Sequence, residues 1–254
     1  MITPDPSVNM FWAYGELSKL ERLCTSSFVL QGYQVKLWTY GEITNAPRGV
    51  ILRDARVILS EVRVFKNKAG SYASFSDLFR YKLLNELGGL YADTDVIALV
   101  GPGVFVRPAI VTERLPLNTE DWENDGSNEV IINNNLIYNP TPGRGNLIDL
   151  ALAVADSFPP EKITWGEIGP ELMTDLLKLQ TEHGFEIMGP DFSNPIVYWK
   201  CPRSLLAVGG VLSPEAKFVH CYSSWWGRTR TDKNMSYPQG SLMAQFELRF
   251  GSLL

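Results

Sequence analysis

The sequence predicts an α/β fold with a mostly parallel central sheet flanked by helices, and three observations carry that expectation. The chain reads strand, helix, strand up to Tyr40. A helical stripe then runs through a Gly-Gly turn straight into an apolar run, Gly88–Leu99. The composition is that of a globular protein with one sizeable core, at 254 residues, 45% hydrophobic and 20% charged. Strand–helix–strand units of this length connect parallel strands.

The elements follow in order. Asn9–Tyr14 (NMFWAY) is short, aromatic and strand-like. Ser18 and Glu21 have the S-x-x-E spacing of a capping box, and Leu20, Leu23, Cys24 and Phe28 follow at helical intervals. Gly32 ends that helix, and Gln34–Tyr40 alternates as a strand does. A short strand is expected within Pro47–Ser60. Phe75, Leu78, Phe79, Leu83 and Leu87 make the next helical stripe, stopped by Gly88–Gly89. Glu113 to Asn135 is acidic and Asn-rich, and reads as a loop with a short strand at Val130–Ile132. Asn146–Phe158 and Gly169–His183 read as helices. From Asn194 onward, Pro, Gly and Trp are dense, and short strands in irregular structure are expected. With no repeat and no linker, the reading is a single domain, 1–254.

Charge and cysteine usage narrow the function. A net charge of −5 argues against nucleic acid as a partner, since phosphate binding needs a basic surface. Cys24, Cys201 and Cys221 are odd in number and lack metal-type spacing. A reducing compartment is the expectation. No window approaches the ~18 apolar residues of a membrane span, and the N-terminus lacks the basic and apolar regions of a signal peptide. The expected location is cytoplasmic, with peripheral contact at the inner face of the membrane left open.

Asp93 and Asp95 interrupt the apolar run in GGLYADTDVIAL. Alternate residues of a strand share a side, so the two carboxylates project together if the strand persists. They repel unless a cation lies beside them, and hard oxygen ligands in this arrangement suit Mg²⁺ or Mn²⁺. The plain alternative is a polar turn after a strand. Asp77 and Arg80, at i and i+3 on the preceding helix, are either a surface ion pair or a pair that holds a phosphate or sugar hydroxyl.

Across FSDLFRYKLLNELGGLYADTDV, residues Ser76, Asp77, Arg80, Tyr81, Gly88, Gly89, Tyr91, Asp93 and Asp95 stand in a longer pattern. That pattern resembles the signature of the D-x-D sugar-transfer glycosyltransferases, the family 32 group and its relatives among the clostridial glucosylating toxins. Four further segments resemble the same family. They are FWAYGELS, IGPELMT (Ile168–Thr174), NNNLIYNPTPG and FVHCYSSWWG. After the P-G of the third, the family often has His-Pro, whereas Arg144 and Gly145 stand here.

The resemblance implies a GT-A fold, Rossmann-like, with residues 1–110 as the nucleotide-sugar half and 111–254 as the acceptor half and C-terminal lid. It implies Asp93, Asp95 and His220 as the metal group, and Asp93, Asp95 and Arg80 as catalytic residues. Trp12 becomes the base platform. Asp77 and Arg80 hold the donor sugar, with Tyr91 and Asn135 at family positions. Ser224, Trp225 and Trp226 close over the diphosphate. For Trp12, Trp225, Trp226 and His220, plain core packing is the alternative. His183, near a helix end, needs only a last-turn capping role.

The implied activity is Mn²⁺- or Mg²⁺-dependent, configuration-retaining transfer of a hexose or N-acetylhexosamine from a UDP-sugar to an acceptor hydroxyl. By analogy the acceptor is a bacterial surface glycan or glycolipid. The polar stretch Glu113–Asn135, with Glu120, Asp121, Glu123 and Asp125, is an acceptor wall or a solvated loop. Three competing readings stay open: a protein-glycosylating transferase, a non-catalytic nucleotide-sugar or glycan-binding module, and a nucleotidyltransferase. Against the last, the first strand lacks a Gly-rich phosphate loop.

Overall fold

A computed structural model describes residues 5–116, 128–143, 145–180 and 182–254. Its centre is a seven-stranded sheet. The strands are β1 (Ser7–Phe11), β2 (Gln34–Thr39), β3 (Ile51–Asp54), β4 (Gly89–Ala92), β6 (Ala109–Pro116), β7 (Asn128–Asn139) and β8 (Glu186–Met188). The order is β3-β2-β1-β4-β7-β6-β8. Only the pairings of β7, with β4 and with β6, are antiparallel, so β7 runs against the other six. This is the mostly parallel α/β sheet flanked by helices that a GT-A fold requires. A second, two-stranded sheet pairs β5 (Val96–Ala98) with β9 (Phe218–His220).

Period-2 alternation assigns the sheet residues to two cores. Phe11, Trp38, Tyr91, Ile110 and Ile137 face helices α2 (Ala73–Glu86), α3 (Leu147–Ser157) and α4 (Leu172–Leu179). Val8, Met10, Val35, Leu37, Leu90, Ala92, Val111 and Leu136 point the other way, onto Phe28 of α1 (Lys19–Leu30) and onto β5 and Phe218. The far side of α1, with Leu20, Leu23 and Cys24, forms a third cluster. It contains Ile97, Val219, Trp226 and the apolar face of α7 (Leu242–Phe250). Gly88 and Gly89 both take positive φ, at 65° and 88°. A Cβ at Gly88 would meet Asn139 O and Pro142 Cδ at 2.9 Å, so the turn into β4 needs glycine for space as well as conformation.

Several expectations are corrected. The first strand starts and ends earlier than Asn9–Tyr14, which leaves Trp12 and Tyr14 beyond its C-terminal end. Ser18 is the N-cap of α1, but its hydroxyl bonds the Glu21 carboxylate instead of a backbone N–H, so the capping box does not form. Leu87 is the C-cap of α2 and 52% exposed, outside the buried stripe. All of Glu113–Asn135 that the structure describes is strand, with the expected Val130–Ile132 inside β7, because β6 and β7 pair in a long antiparallel ladder from Ala109 to Pro116. Glu120, Asp121, Glu123, Asp125 and Arg144 lie outside the described residues. The helix expected at Gly169–His183 is α4, entered through a π turn at Glu167–Glu171. The C-terminal part is irregular structure with the short strand β9, as expected, and it also carries three helices that were not expected, α5 (Arg203–Leu206), α6 (Ser223–Arg228) and α7. There, aromatic packing against α1 outweighs the turn-forming composition. Cys24, Cys201 and Cys221 are free and buried. Among the described residues, no helix is long and apolar enough to cross a membrane.

Candidate active site

The strand order reverses between β1 and β4, and the carboxyl ends of these strands open a crevice, as parallel α/β sheets do at such a point. A cavity of about 960 Å³ occupies it. Trp12 and Tyr14 follow β1, while Ser76, Asp77 and Arg80 come from α2. Asp93, Thr94 and Asp95 follow β4, and Glu113, Asn133 and Asn134 come from β6 and β7. Trp165, Pro170, Glu171 and Asp175 build one wall. His220, Tyr222, Ser224, Trp225 and Arg228 build the opposite one.

The two aspartates do not share a strand. β4 ends at Ala92 and β5 begins at Val96, so Asp93–Thr94–Asp95 is a tight turn closed by Val96 N–H donating to Asp93 O at 3.3 Å. The carboxylates converge because of that turn and its partners. Arg80 is their positive neighbour. It is 3% exposed, its Nη1 donates to Asp77 at 2.8 Å and its Nη2 to Asp93 at 2.6 Å. Its guanidinium also lies over the Tyr91 ring, 4.7 Å from the centroid. Of the two readings left open for Asp77 and Arg80, the surface ion pair is excluded: both are buried, at the cavity lining. Asn134 Nδ2 adds a second donor to Asp77 at 2.9 Å. Gly169, of the G-P element, packs on Asp77: a Cβ there would meet its Oδ2 at 2.6 Å.

Asp95 faces the other way. Its Oδ2 accepts Ser223 N–H at 2.7 Å, and its Oδ1 lies 3.4 Å from His220 Nε2. The β5–β9 ladder sets this meeting by placing Val96 opposite His220. Electrostatics separates the two aspartates. Burial pushes the Asp93 carboxyl up to about 6, with Asp95 adding to the rise and Arg80 opposing it. At Asp95 the burial effect is outweighed by His220 and the Ser223 N–H, and the carboxyl falls well below its usual range. Burial also raises Asp77, against Arg80 and Asn134. For His220, burial acts downward, but Asp95, Asp93 and Glu113 prevail and raise it.

Asp93, Asp95 and His220 each offer a ligand atom, all within 4.8 Å of one another. Among the described residues, Asp77, Asp93, Asp95 and Glu113 line the cavity together with the buried guanidinium of Arg80. A negative surplus among two carboxylate oxygens and an imidazole nitrogen fits a divalent cation of the Mg²⁺ or Mn²⁺ type.

Of the residues expected from the sequence, Trp12, Asp77, Arg80, Asp93, Asp95, His220, Ser224 and Trp225 line the cavity. Tyr91, Asn135 and Trp226 do not. Tyr91 lies fully buried, its hydroxyl 3.3 Å from Ser76 Oγ. Asn135 donates to Asn194 at 2.6 Å. Trp226 is fully buried in the third core, its Nε1 donating to Cys221 O. The sequence reading did not single out Glu113, Asn133, Asn134, Tyr198, Trp165, Tyr222 or Arg228. A polar run, TE in AIVTERLP or NNN in IINNNLIY, inside two otherwise apolar strands is the signal that could have found the strand residues.

Residues 22–103, about a third of the chain, match the family described as the glycosyltransferase sugar-binding region containing the DXD motif. No curated protein matches the chain. Among solved structures, the chain is similar to the PaToxG glycosyltransferase, with 17% identity over 70% of each chain and a TM-score of 0.46. It is also similar to the glycosyltransferase GlyE of Streptococcus pneumoniae TIGR4, with 12% identity over 91% of this chain and 61% of that one, at a TM-score of 0.43. The apo form of GlyE gives 11%, 98%, 64% and 0.41. The matched region runs from α1 through the Asp93–Asp95 turn and past β5 to Gly103.

Proposed function

We propose that this D-x-D glycosyltransferase moves a hexose or N-acetylhexosamine from a UDP-sugar to an acceptor hydroxyl, with retention of configuration and with Mn²⁺ or Mg²⁺ bound. The observation that carries the reading is the convergence of Asp93, Asp95 and His220 at one end of a cavity large enough for a nucleotide sugar and an acceptor. Asp93, Asp95 and His220 hold the ion. When bound, it supplies Lewis-acid neutralisation of the charge that develops on the leaving diphosphate.

The remaining steps belong to the chain's own side chains. Arg80 fixes Asp77 and Asp93, and Asp77 holds a hydroxyl of the donor sugar. Trp12, half-buried at the rim, supports the base. Ser224 and Trp225 close over the diphosphate with Arg228, whose guanidinium lies 5.1 Å from the Trp225 ring, and shield the donor from water. Tyr91, Asn135 and Trp226 support these groups from behind. The acceptor hydroxyl attacks from the leaving-group side and the departing phosphate takes its proton, so no protein base is required. The proposed division is a single catalytic domain, with 1–110 as the donor half and 111–254 as the acceptor half and lid.

Trp165 is 53% exposed beside Glu171 and Asp175, which suits the ring face and hydroxyls of an uncharged glycan or glycolipid acceptor. A bacterial surface polysaccharide or lipopolysaccharide, assembled at the inner face of the membrane, fits that chemistry. The reading is tested by UDP release from a panel of UDP-sugars, in Mn²⁺ or in EDTA, for the wild type and Asp95→Asn. Release from one sugar, dependent on Mn²⁺ and reduced at least about 100-fold in Asp95→Asn, is the expected result. No release and no binding of UDP with Mn²⁺ would leave a glycan-binding module or another nucleotide donor.

A further inference from the structure

Behind the cavity lies a buried set of polar groups whose hydrogen atoms can be assigned by donor and acceptor chemistry alone. Asn194, 1% exposed, is its hub. Its Nδ2 donates to the Thr112 carbonyl at 2.9 Å. A carbonyl accepts only, so this contact fixes which end of the amide is nitrogen. Asn194 Oδ1 therefore faces three neighbours: Asn135 Nδ2 at 2.6 Å, His220 Nδ1 at 3.1 Å and the Tyr222 hydroxyl at 3.0 Å.

The Asn135 amide is oriented in turn: Asn194 Oδ1 only accepts, so the Asn135 atom 2.6 Å from it is the donating Nδ2, which leaves Asn135 Oδ1 to accept from Ser193 Oγ at 3.3 Å. Oδ1 of Asn194 cannot donate, so His220 Nδ1 must carry a hydrogen. Two donors fill the two lone pairs of that oxygen. The Tyr222 hydroxyl then gives its proton to Glu113 Oε2, also 3.0 Å away and the stronger, charged acceptor. Tyr222 packs against the imidazole, its ring centroid 3.8 Å from that of His220. The ring is held by hydrogen bond and by contact.

We propose that Asn194 is a positioning residue of the metal group, holding His220 in the Nδ1–H tautomer so that the Nε2 lone pair faces Asp93 and Asp95. The inference rests on the reading that His220 is a metal ligand. Tyr222 and Glu113 complete the set by saturating the other side of the ring's environment. A ligating imidazole generally needs such an acceptor behind it, and losing the acceptor typically costs about 10–100-fold in metal affinity.

The chain has two histidines, so His183→Gln leaves His220 as the sole imidazole. Two-bond ¹H–¹⁵N spectra of ¹⁵N-histidine-labelled protein, taken at alkaline pH and again with Mg²⁺, should show Nδ1 protonated and Nε2 unprotonated, with Nε2 moving on Mg²⁺ addition. A protonated Nε2 at alkaline pH overturns the assignment. Asn194→Leu, of similar size but with no acceptor, should give mixed tautomers and about 10–100-fold weaker Mn²⁺ binding, read from the electron paramagnetic resonance signal of free Mn²⁺. Asn194→Asp, which keeps an acceptor, should restore the tautomer and most of the affinity. If Asn194→Leu does not fold, the wild-type spectrum and the Asp variant decide. Wild-type protein that takes up no Mn²⁺ overturns the metal reading itself. Uptake by the wild type, with Asn194→Leu unchanged in affinity and tautomer, overturns only the role of Asn194.

Discussion

Two acid–base clusters in this molecule share a buried charged group and differ in charge balance. Beneath the cavity, Arg80 bridges Asp77 and Asp93, with Asp95 close by. On the other side of α1, Glu21 is fully buried and meets Lys233 Nζ at 2.7 Å and the Ser18 hydroxyl. The second cluster is balanced, with one carboxylate and one ammonium, and it ties α1 to the segment ahead of α7. The first is unbalanced and opens into a cavity. Buried charges normally come with partners because desolvation is costly. A surplus of carboxylates held in place by the fold is the arrangement that the proposed cation would balance, whereas a closed pair marks a tether.

Three substitutions test that contrast, from the largest expected effect to the smallest. Arg80→Ala strips the cation from the buried Asp77 and the partly buried Asp93 at once. It should cost about 3–5 kcal/mol of stability in denaturant unfolding, the usual loss when one partner of a buried pair is removed. A loss under about 1 kcal/mol would mean that solvent already neutralises Asp77 and Asp93. Lys233→Met removes the cation of the closed pair, which is itself 27% exposed. The expected cost is about 1–3 kcal/mol, because Glu21 keeps the Ser18 hydroxyl and water can reach the lysine end.

Asp93→Asn should act in the opposite direction. It removes surplus charge and relieves repulsion with Asp95, and should stabilise the metal-free protein by about 0.5–2 kcal/mol while weakening Mn²⁺ binding. Thermal unfolding with and without Mn²⁺ reads both signs. A destabilised, metal-free Asp93→Asn would show that Asp93 serves the fold as Glu21 does, and the contrast would collapse.

Local chemistry made the parallel α/β architecture, the helix from Phe75 onward, the Gly-Gly turn and the D-x-D pair legible, whereas Trp12, His220, Ser224 and Trp225 rest on the family resemblance alone. The misreadings share one cause. Glu113–Asn135 was expected to be loop because its polar residues break the alternation, yet Glu113, Asn133 and Asn134 are polar because they face the cavity from inside strands. Trp225 and Trp226 are neighbours of equal hydrophobicity, but the α6 turn sends one to the cavity and the other into the core. Asn194 was visible only as the start of a Pro- and Gly-rich stretch.

The sequence by itself determined the elements as far as the Gly-Gly turn and where the carboxylates fall along the chain, because periodicity, glycine turns and apolar runs act between near neighbours. Only the tertiary structure decided which charges are buried together, that Asp93 and Asp95 converge through a turn and not along a strand, and that Asn194 stands behind His220. Those outcomes depend on strand order and on the β5–β9 ladder, which bring distant residues into contact. Hydrogen-bond direction and desolvation act over a few ångströms of space, and no spacing along the chain encodes them.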